Sequence, residues 1–316
     1  MRTIVINTTA ALLAILSFSC EENFSPKTDY VEKYILYCII NTDSSVQTAV
    51  LQRSYNVDGF DPYQNTTDPS IIGADIRLRQ GNNVFFMRDT SIARTDTSRY
   101  KSPVNFYCTD NFFLQGDDSL EIIATLPNGK KLSGITDLSF NIEFDTASDH
   151  IIPAQENDYF SFVWNSEGVN KWYLPKFTFY YLKNGVRFGK DVPSEYVFKN
   201  GTWSASYPEI TQSNIIRFKN SALDSAFAQI SYGDPDKSSY IILGGVLTLI
   251  VFNESLSNYY STTNGYLDDF TIRIDETDYT NINGGFGILG AFKKQLSGAR
   301  FTDPYIRSFG YTPGLP

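Results

Sequence analysis

The chain has 316 residues, with 35 acidic and 26 basic side chains and a formal net charge of −9. This charge argues against nucleic-acid binding, which requires many cations to neutralise phosphates, and no basic run is longer than a pair such as Lys293-Lys294. The length is sufficient for a large core and suggests two domains. The 24 Phe and 21 Tyr residues favour β-structure. Most tyrosines are expected in sheets and cores, and the alternative is a stacking platform for sugars or a protein contact.

Residues 1–19 have the pattern of a bacterial lipoprotein signal. Arg2 carries a positive charge, a short apolar run extends from Ala10 to Ser19, and Cys20 follows. The run is too short for a membrane-spanning helix, which needs about 20 apolar residues. The pattern therefore predicts that residues 1–19 are removed and that Cys20 becomes an acylated amino terminus.

The match to the lipoprotein pattern is imperfect. Leu commonly lies three residues before the cysteine, whereas Leu16 lies four before it and Ser17 takes that place. Ser19 does supply the small residue at the cleavage site, and an ordinary secretory signal with an incidental cysteine is the alternative. Two or more acyl chains hold a protein stably on a membrane. The polar residues 20–30 are predicted to be a lipidated tether that reaches about 30 Å at most.

Strand patterns follow one another from residue 31 to residue 140. Short apolar or alternating runs, separated by turn-forming residues, predict an immunoglobulin- or transthyretin-like β-sandwich of seven or so strands. The runs are 34–40, 47–53, 74–79, 83–87, 104–108, 120–126 and 131–135. The polar stretch 56–70 is predicted to be a loop. Asn128-Gly129 predicts a hairpin turn, since both residues tolerate a positive φ.

Residues 141–316 are predicted to form a larger, mainly β domain with one or two short helices. Its strands are predicted at 159–164, 176–182, 195–198, 202–207, 215–218 and 240–252. Residues 240–252 are too few and too β-branched for a membrane span and are predicted to be a buried strand. The helices are predicted at 221–230, with Ser221 as candidate N-cap, and at 254–261.

The cysteines and the histidine limit the chemistry available. Cys38 and Cys108 lie in strand-like runs, where an oxidising compartment would permit a disulfide and where free cysteines are the alternative. His150 is the single histidine. Zinc sites with two or three His are therefore excluded, and Ser-His or Cys-His catalysis would have to use this residue. We predict a solvated linker histidine.

Three glycines, Gly285, Gly287 and Gly290, match the GxGxxG pattern of dinucleotide-binding proteins. No hydrophobic strand precedes them and only 26 residues follow Gly290, whereas the fingerprint requires a βαβ unit. We therefore predict that these glycines permit close backbone packing or a bulge.

The acidic doublets and loops are weak candidates for a site. Asp117-Asp118 and Asp268-Asp269 are adjacent pairs, and adjacent residues on a strand point to opposite faces, so neither forms a glycosidase pair by itself. The acidic loops 58–61 and 234–236 could hold calcium, but their spacing does not match an EF-hand. No catalytic residue, metal or cofactor is predicted.

The segment Tyr279–Phe292 resembles the closing sNIxGGxGxFga signature of a large Bacteroidetes lipoprotein family known as a domain of unknown function. The matching residues are Asn281, Gly284, Gly285, Gly287 and Gly290, and Leu289 stands where an aromatic is common. Looser similarities bring the resemblance to roughly residues 31–300. They are the short helix at 256–260, the strand at 72–77 and the hairpin at 126–132.

The resemblance implies a location and a partner but no catalytic residues. Members of that family are often encoded beside TonB-dependent receptors, and Glu21-Glu22 resembles the acidic signal of surface-exported lipoproteins. We expect a non-enzymatic, surface-exposed outer-membrane lipoprotein that assists a TonB-dependent receptor or captures its ligand in nutrient uptake. The alternatives are a surface glycan-binding protein or carboxylate-dependent glycan hydrolase, and an adhesive or envelope-assembly module.

Overall fold

The computed structural model describes residues 29–57, 61–116, 119–145, 151–152, 158–168, 171–264 and 279–314. The protein is mainly β, with 51% of residues in strands and 12% in helices. The predicted fold class is therefore confirmed.

The strands before residue 140 agree with the predicted runs. They are β1 (Tyr34–Asn41), β2 (Gln47–Arg53), β3 (Asp75–Gln80), β4 (Asn83–Ile92), β5 (Val104–Thr109), β6 (Leu120–Thr125) and β7 (Lys131–Thr136). Alternating burial is typical of such strands. In β3, for example, the side chains of Ile76, Leu78 and Gln80 are buried while the residues between them are exposed. The hairpin between β6 and β7 also forms, although only Gly129 of its Asn-Gly pair has a positive φ, of 81°.

The later part of the described chain contains strands and helices of very different lengths. The strands are β8 (Ile142–Phe144), β9 (Ile151–Ile152), β10 (Tyr159–Ser166), β11 (Tyr173–Lys183), β12 (Val186–Val192), β13 (Glu195–Lys199), β14 (Thr202–Ser206), β15 (Ile215–Lys219), β16 (Tyr240–Phe252), β17 (Ile282–Asn283), β18 (Phe286–Phe301) and β19 (Thr312–Pro313). The helices are α1 (Asn220–Ile230), α2 (Glu254–Asn264) and α3 (Asp303–Ser308).

Both predicted helices form, but the predicted cap of the first is wrong. Helix α1 begins at Asn220, and its N-cap is Lys219, which makes no side-chain capping bond. Ser221 therefore lies inside the helix, where its carbonyl oxygen accepts a hydrogen bond from the Ser225 hydroxyl.

One large sheet organises the molecule. Its strand order is β12-β11-β16-β18-β1-β2-β5-β4-β3-β6-β7-β17, with β9 and β19 attached to β18 and β16. Strand β17 is last in this order, and the chain continues from it through Gly284 and Gly285 into β18, which lies in the interior of the sheet. Two smaller sheets, β15-β10-β8 and the hairpin β13-β14, complete the described strands.

Strand β18 belongs to both parts of the molecule. Its first half pairs in parallel with β1, where Phe286 lies opposite Ile35. Its second half pairs antiparallel with β16, where Phe292 lies opposite Phe252. The sheet therefore runs across residue 140, and the division into a sandwich at 31–140 and a second domain at 141–316 stays a prediction.

Two hydrophobic clusters form the core. The first consists mostly of buried side chains from β1–β7 and also contains Trp164, Tyr173 and Leu249 from the later part of the chain. The second is rich in aromatic rings and lies under α1 and α3. At its centre the rings of Phe179 and Phe227 are 4.5 Å apart.

Cys38 and Cys108 are both free thiols. Cys38 lies opposite Ala49, and Ala49 lies opposite Tyr107, so these three residues share the buried face of β1, β2 and β5. Cys108 follows Tyr107 and points to the opposite face. Burial raises the pKa of the Cys38 thiol to about 12, which is typical of an unreactive core cysteine.

Candidate functional site

The predicted site residues fall into two groups. Cys20, Glu21 and Glu22 lie outside the described residues, as do His150 and the doublets Asp117-Asp118 and Asp268-Asp269. The five signature residues are all described, and the structure brings them together where β17 turns into β18. They are Asn281, Gly284, Gly285, Gly287 and Gly290.

Asn281 ties this turn to two strands. Its side-chain oxygen accepts a hydrogen bond from the Leu289 amide at 2.9 Å. Its side-chain nitrogen donates to the Leu289 carbonyl at 2.9 Å and to the Ile135 carbonyl at 3.1 Å. One side chain therefore substitutes for strand pairing between β18 and the segment before β17, and connects both with β7.

The glycines allow the backbones of β1, β7 and β18 to approach closely. A Cβ atom on Gly287 would lie 2.1 Å from the Leu36 carbonyl oxygen, and one on Gly285 would lie 2.5 Å from the Tyr34 carbonyl oxygen. Gly287 also has a φ of 112°, which side chains rarely tolerate. The prediction of close backbone packing is confirmed, and the motif lies on a strand rather than at a strand-to-helix turn.

Asn253, which the sequence analysis did not single out, joins α2 to the same region. It is fully buried, and its side-chain oxygen accepts hydrogen bonds from the amides of Leu256 and Ala291, both at 3.0 Å. Its side-chain nitrogen donates to the Thr136 hydroxyl at 2.6 Å and to the Asp137 carbonyl at 2.7 Å. An Asn directly before a helical pattern is an N-cap signal that the sequence does contain.

The acidic loop at 234–236 binds a lysine of its own chain. The Asp234 carboxylate accepts hydrogen bonds from Lys183 Nζ at 2.8 Å and from the Tyr240 hydroxyl at 2.9 Å. Lys183 lowers the pKa of Asp234 to about 2, with further help from the Asp236 amide and Tyr240. The carboxylate that would ligate calcium is therefore occupied by an ammonium group. Across the described ranges, no three His, Cys, Asp or Glu residues are grouped to hold a metal ion.

An open polar cleft of about 460 Å³ lies between β8, β10 and β18. Glu143 and Glu167 both line it, and Asn141 donates a hydrogen bond to Glu167 at 2.9 Å. Both glutamates are exposed to water, whereas the general acid of a glycosidase lies in an apolar, water-poor pocket. The cleft therefore does not favour the hydrolase alternative.

A cluster of tyrosine and arginine side chains lies on the loops at 54–70 and 93–103, and we call it the Tyr–Arg cluster. Its members are Tyr55, Tyr63, Arg94, Arg99 and Tyr100. The Arg99 guanidinium lies over the rings of Tyr100, Tyr63 and Tyr55, at 4.8, 5.0 and 5.7 Å from their centroids. A depression of about 340 Å³ lies beside Arg94, Arg99 and Tyr100.

Hydrogen bonds and an ion pair hold the arginines of the Tyr–Arg cluster in place. Arg94 forms a largely buried ion pair with Asp68, with 2.6 Å between nitrogen and oxygen. Burial works to raise the pKa of Asp68, but hydrogen bonds from Ser70 and Ser102 and the charge of Arg94 together hold it below its usual value. Arg99 also donates to the Tyr55 hydroxyl at 2.7 Å. These bonds hold the two guanidinium groups and the Tyr55 ring in place.

The Tyr–Arg cluster presents an aromatic surface to water. Tyr63 is 73% exposed, and the Tyr100 ring is partly buried beneath the two arginines. Tyr and Arg are the residue types enriched at the centres of protein contacts. Sequence analysis missed this site because its residues come from two loops about 40 residues apart.

A comparison with models of known protein families gives no match, and neither does a comparison with curated protein sequences. Among the helices of the described ranges, none has the length and apolar character needed to cross a bilayer.

Proposed function

We propose that this protein is a non-enzymatic lipoprotein of the bacterial outer membrane, anchored through Cys20 and exposed at the cell surface. It acts as an accessory partner of a TonB-dependent receptor in nutrient uptake. In this role it works by binding a protein surface or by capturing the receptor's ligand. The family resemblance of Tyr279–Phe292 and the lipoprotein pattern at residues 1–20 support the proposed location.

The observation that supports a contact function best is the Tyr–Arg cluster. Its rings stack on guanidinium groups that are themselves hydrogen-bonded, so little side-chain entropy is lost when a partner covers them. Exposed Tyr63 adds a large amphipathic surface, which can bury its ring and still hydrogen-bond through its hydroxyl. The cluster therefore has the composition of a binding hot spot.

The experiment is co-purification from the bacterium that produces the protein. Affinity-tagged protein is extracted from outer membranes in mild detergent, and its partners are identified by mass spectrometry. We expect a TonB-dependent receptor to be recovered with the wild-type protein. Tyr63→Ala should lower that recovery about tenfold, the effect of losing one hot-spot side chain.

The matched control is Phe86→Ala, which removes another exposed ring (63% exposed) outside the Tyr–Arg cluster. Its recovery should equal that of the wild-type protein. If no TonB-dependent receptor is recovered with any of the three proteins, the proposed partnership is wrong. If Tyr63→Ala and Phe86→Ala recover the receptor equally, the Tyr–Arg cluster is not the contact.

A further inference from the structure

The hairpin β13-β14 pairs with no other strand of the described structure. It forms a sheet of its own, and every residue of β14 from Thr202 to Ala205 is exposed. Successive side chains of a strand point to opposite faces, so both faces of β14 meet water. The hairpin is therefore a projection from the surface rather than part of a layer.

Two aromatic rings occupy the end of this projection. Phe198 and Trp203 lie directly opposite each other across the strands, with ring centroids 5.4 Å apart. They are 59% and 70% exposed. Large apolar side chains at the end of a projection can leave water only by entering something else, because no neighbouring element of the described structure covers them.

The hairpin has a defined turn at its tip and side-chain contacts at its base. At its tip Asn200 and Gly201 have φ values of 53° and 80°, as a tight two-residue hairpin turn requires. At its base Lys219 pairs with Glu195 at 2.7 Å, and the Gln229 side chain donates to the Tyr196 hydroxyl at 2.7 Å. These contacts orient the hairpin and with it the aromatic pair.

We propose that this hairpin is a second membrane contact, which inserts Phe198 and Trp203 into the headgroup region of a lipid bilayer. Between Glu195 and Glu209 the only charged residue is Lys199, so this segment of an acidic protein carries no carboxylate that would repel lipid phosphates. Tryptophan is enriched at the membrane–water interface, where its ring is buried and its N–H stays hydrogen-bonded.

The shape of the hairpin also favours a bilayer over a protein partner. The exposed end of a projecting hairpin can be surrounded by lipid, whereas a protein contact of standard size needs a broad complementary surface. The outer edges of a two-stranded sheet carry unpaired backbone groups, which are costly in hydrocarbon. Insertion therefore stops at the headgroups, where water remains available.

This inference extends the proposed membrane location but does not depend on acylation for its test. The protein used is the chain from Glu21 to Pro316, which contains every described residue and lacks the cysteine that would carry lipid. The probe is unilamellar vesicles of phosphatidylethanolamine and phosphatidylglycerol. The readout is tryptophan fluorescence, with and without brominated lipid as a quencher that acts only at short range.

The chain is suited to this readout because only one of its three tryptophans is highly exposed. Trp164 is fully buried, and Trp172 is partly buried, with its indole N–H bonded to the Ser261 hydroxyl at 2.7 Å. We expect vesicles to shift the emission to shorter wavelength and brominated lipid to quench it. Trp203→Phe should abolish both changes while the protein still sediments with vesicles.

Replacing both rings, as in Phe198→Ala with Trp203→Ala, should weaken vesicle binding about tenfold or more. Phe86→Ala, which removes an exposed ring elsewhere, should leave binding unchanged. Because Phe198 and Trp203 are exposed, their replacement should not change the unfolding midpoint. If the wild-type emission is the same with and without vesicles, the proposal is wrong; the proposed lipidation at Cys20 would be unaffected by that result.

Discussion

Replacing Gly287 with alanine is expected to prevent folding, or to lower the free energy of unfolding by at least about 4 kcal/mol. The new Cβ atom would lie 2.1 Å from the carbonyl oxygen of Leu36 and 2.8 Å from its carbonyl carbon. The positive φ of 112° adds strain for any residue with a side chain. Neither strand can move aside, because β1 is paired with β18 on one edge and with β2 on the other.

The measurement is urea unfolding followed by intrinsic fluorescence, with soluble yield recorded in case the variant does not fold. Gly298→Ala is the matched control, because Gly298 lies on the same strand and has open space where a Cβ would be. This control should stay within about 0.5 kcal/mol of the wild-type protein. If the two variants lose equal free energy of unfolding, Gly287 is not required for the close approach of β1 and β18.

The second large effect is expected for Asn253→Ala, which should lower the free energy of unfolding by about 3–5 kcal/mol. The change removes the cap of α2 and leaves the Ala291 amide and the Asp137 carbonyl without their bonds to this side chain. The loss should be large because Asn253 is fully buried, so water cannot replace the missing partners.

The same urea titration measures this loss. Ser221→Ala is the control, since Ser221 lies in the first turn of a helix but its side chain makes no capping bond. It should change stability by less than about 0.5 kcal/mol. A loss below about 1 kcal/mol for Asn253→Ala would contradict the network described above.

Much of the strand pattern was predictable because most strands are buried on one face only. Alternation of apolar and polar residues identified β3, and the pair Asn128-Gly129 located the turn before β7. The first half of β18 gave no such pattern, since residues 287–291 are all buried. Helix α2 covers one of its faces, where Leu256 contacts Gly290, and the core covers the other. A strand covered on both faces loses the period of two.

The chemistry of the sites was less predictable, because it depends on residues far apart in the chain. The local pattern around Gly285 and Gly287 was enough to predict close packing. Nothing near Asp234 indicated that Lys183, 51 residues earlier, would occupy its carboxylate. The cap formed by Asn253 was detectable in the sequence, but its bonds to Thr136 and Asp137 depend on the folded chain.

The signature residues and the exposed aromatic rings have different roles in the structure. The family-like signature around Asn281 stabilises the junction of β1, β7 and β18, so its residue types are explained by packing and hydrogen bonding. The Tyr–Arg cluster and the β13-β14 hairpin instead leave aromatic rings in water, as contact surfaces do. We therefore expect substitutions in the signature to reduce stability, and substitutions of exposed rings to reduce binding.

The mass of the amino-terminal peptide, determined on protein isolated from the bacterium that produces it, tests the central proposal most directly. Anchoring predicts that residues 1–19 are absent and that the peptide beginning at Cys20 carries the added mass of acyl chains. A chain that keeps residues 1–19, or that begins at an unmodified residue, would contradict the proposed lipid anchoring of this protein in the outer membrane.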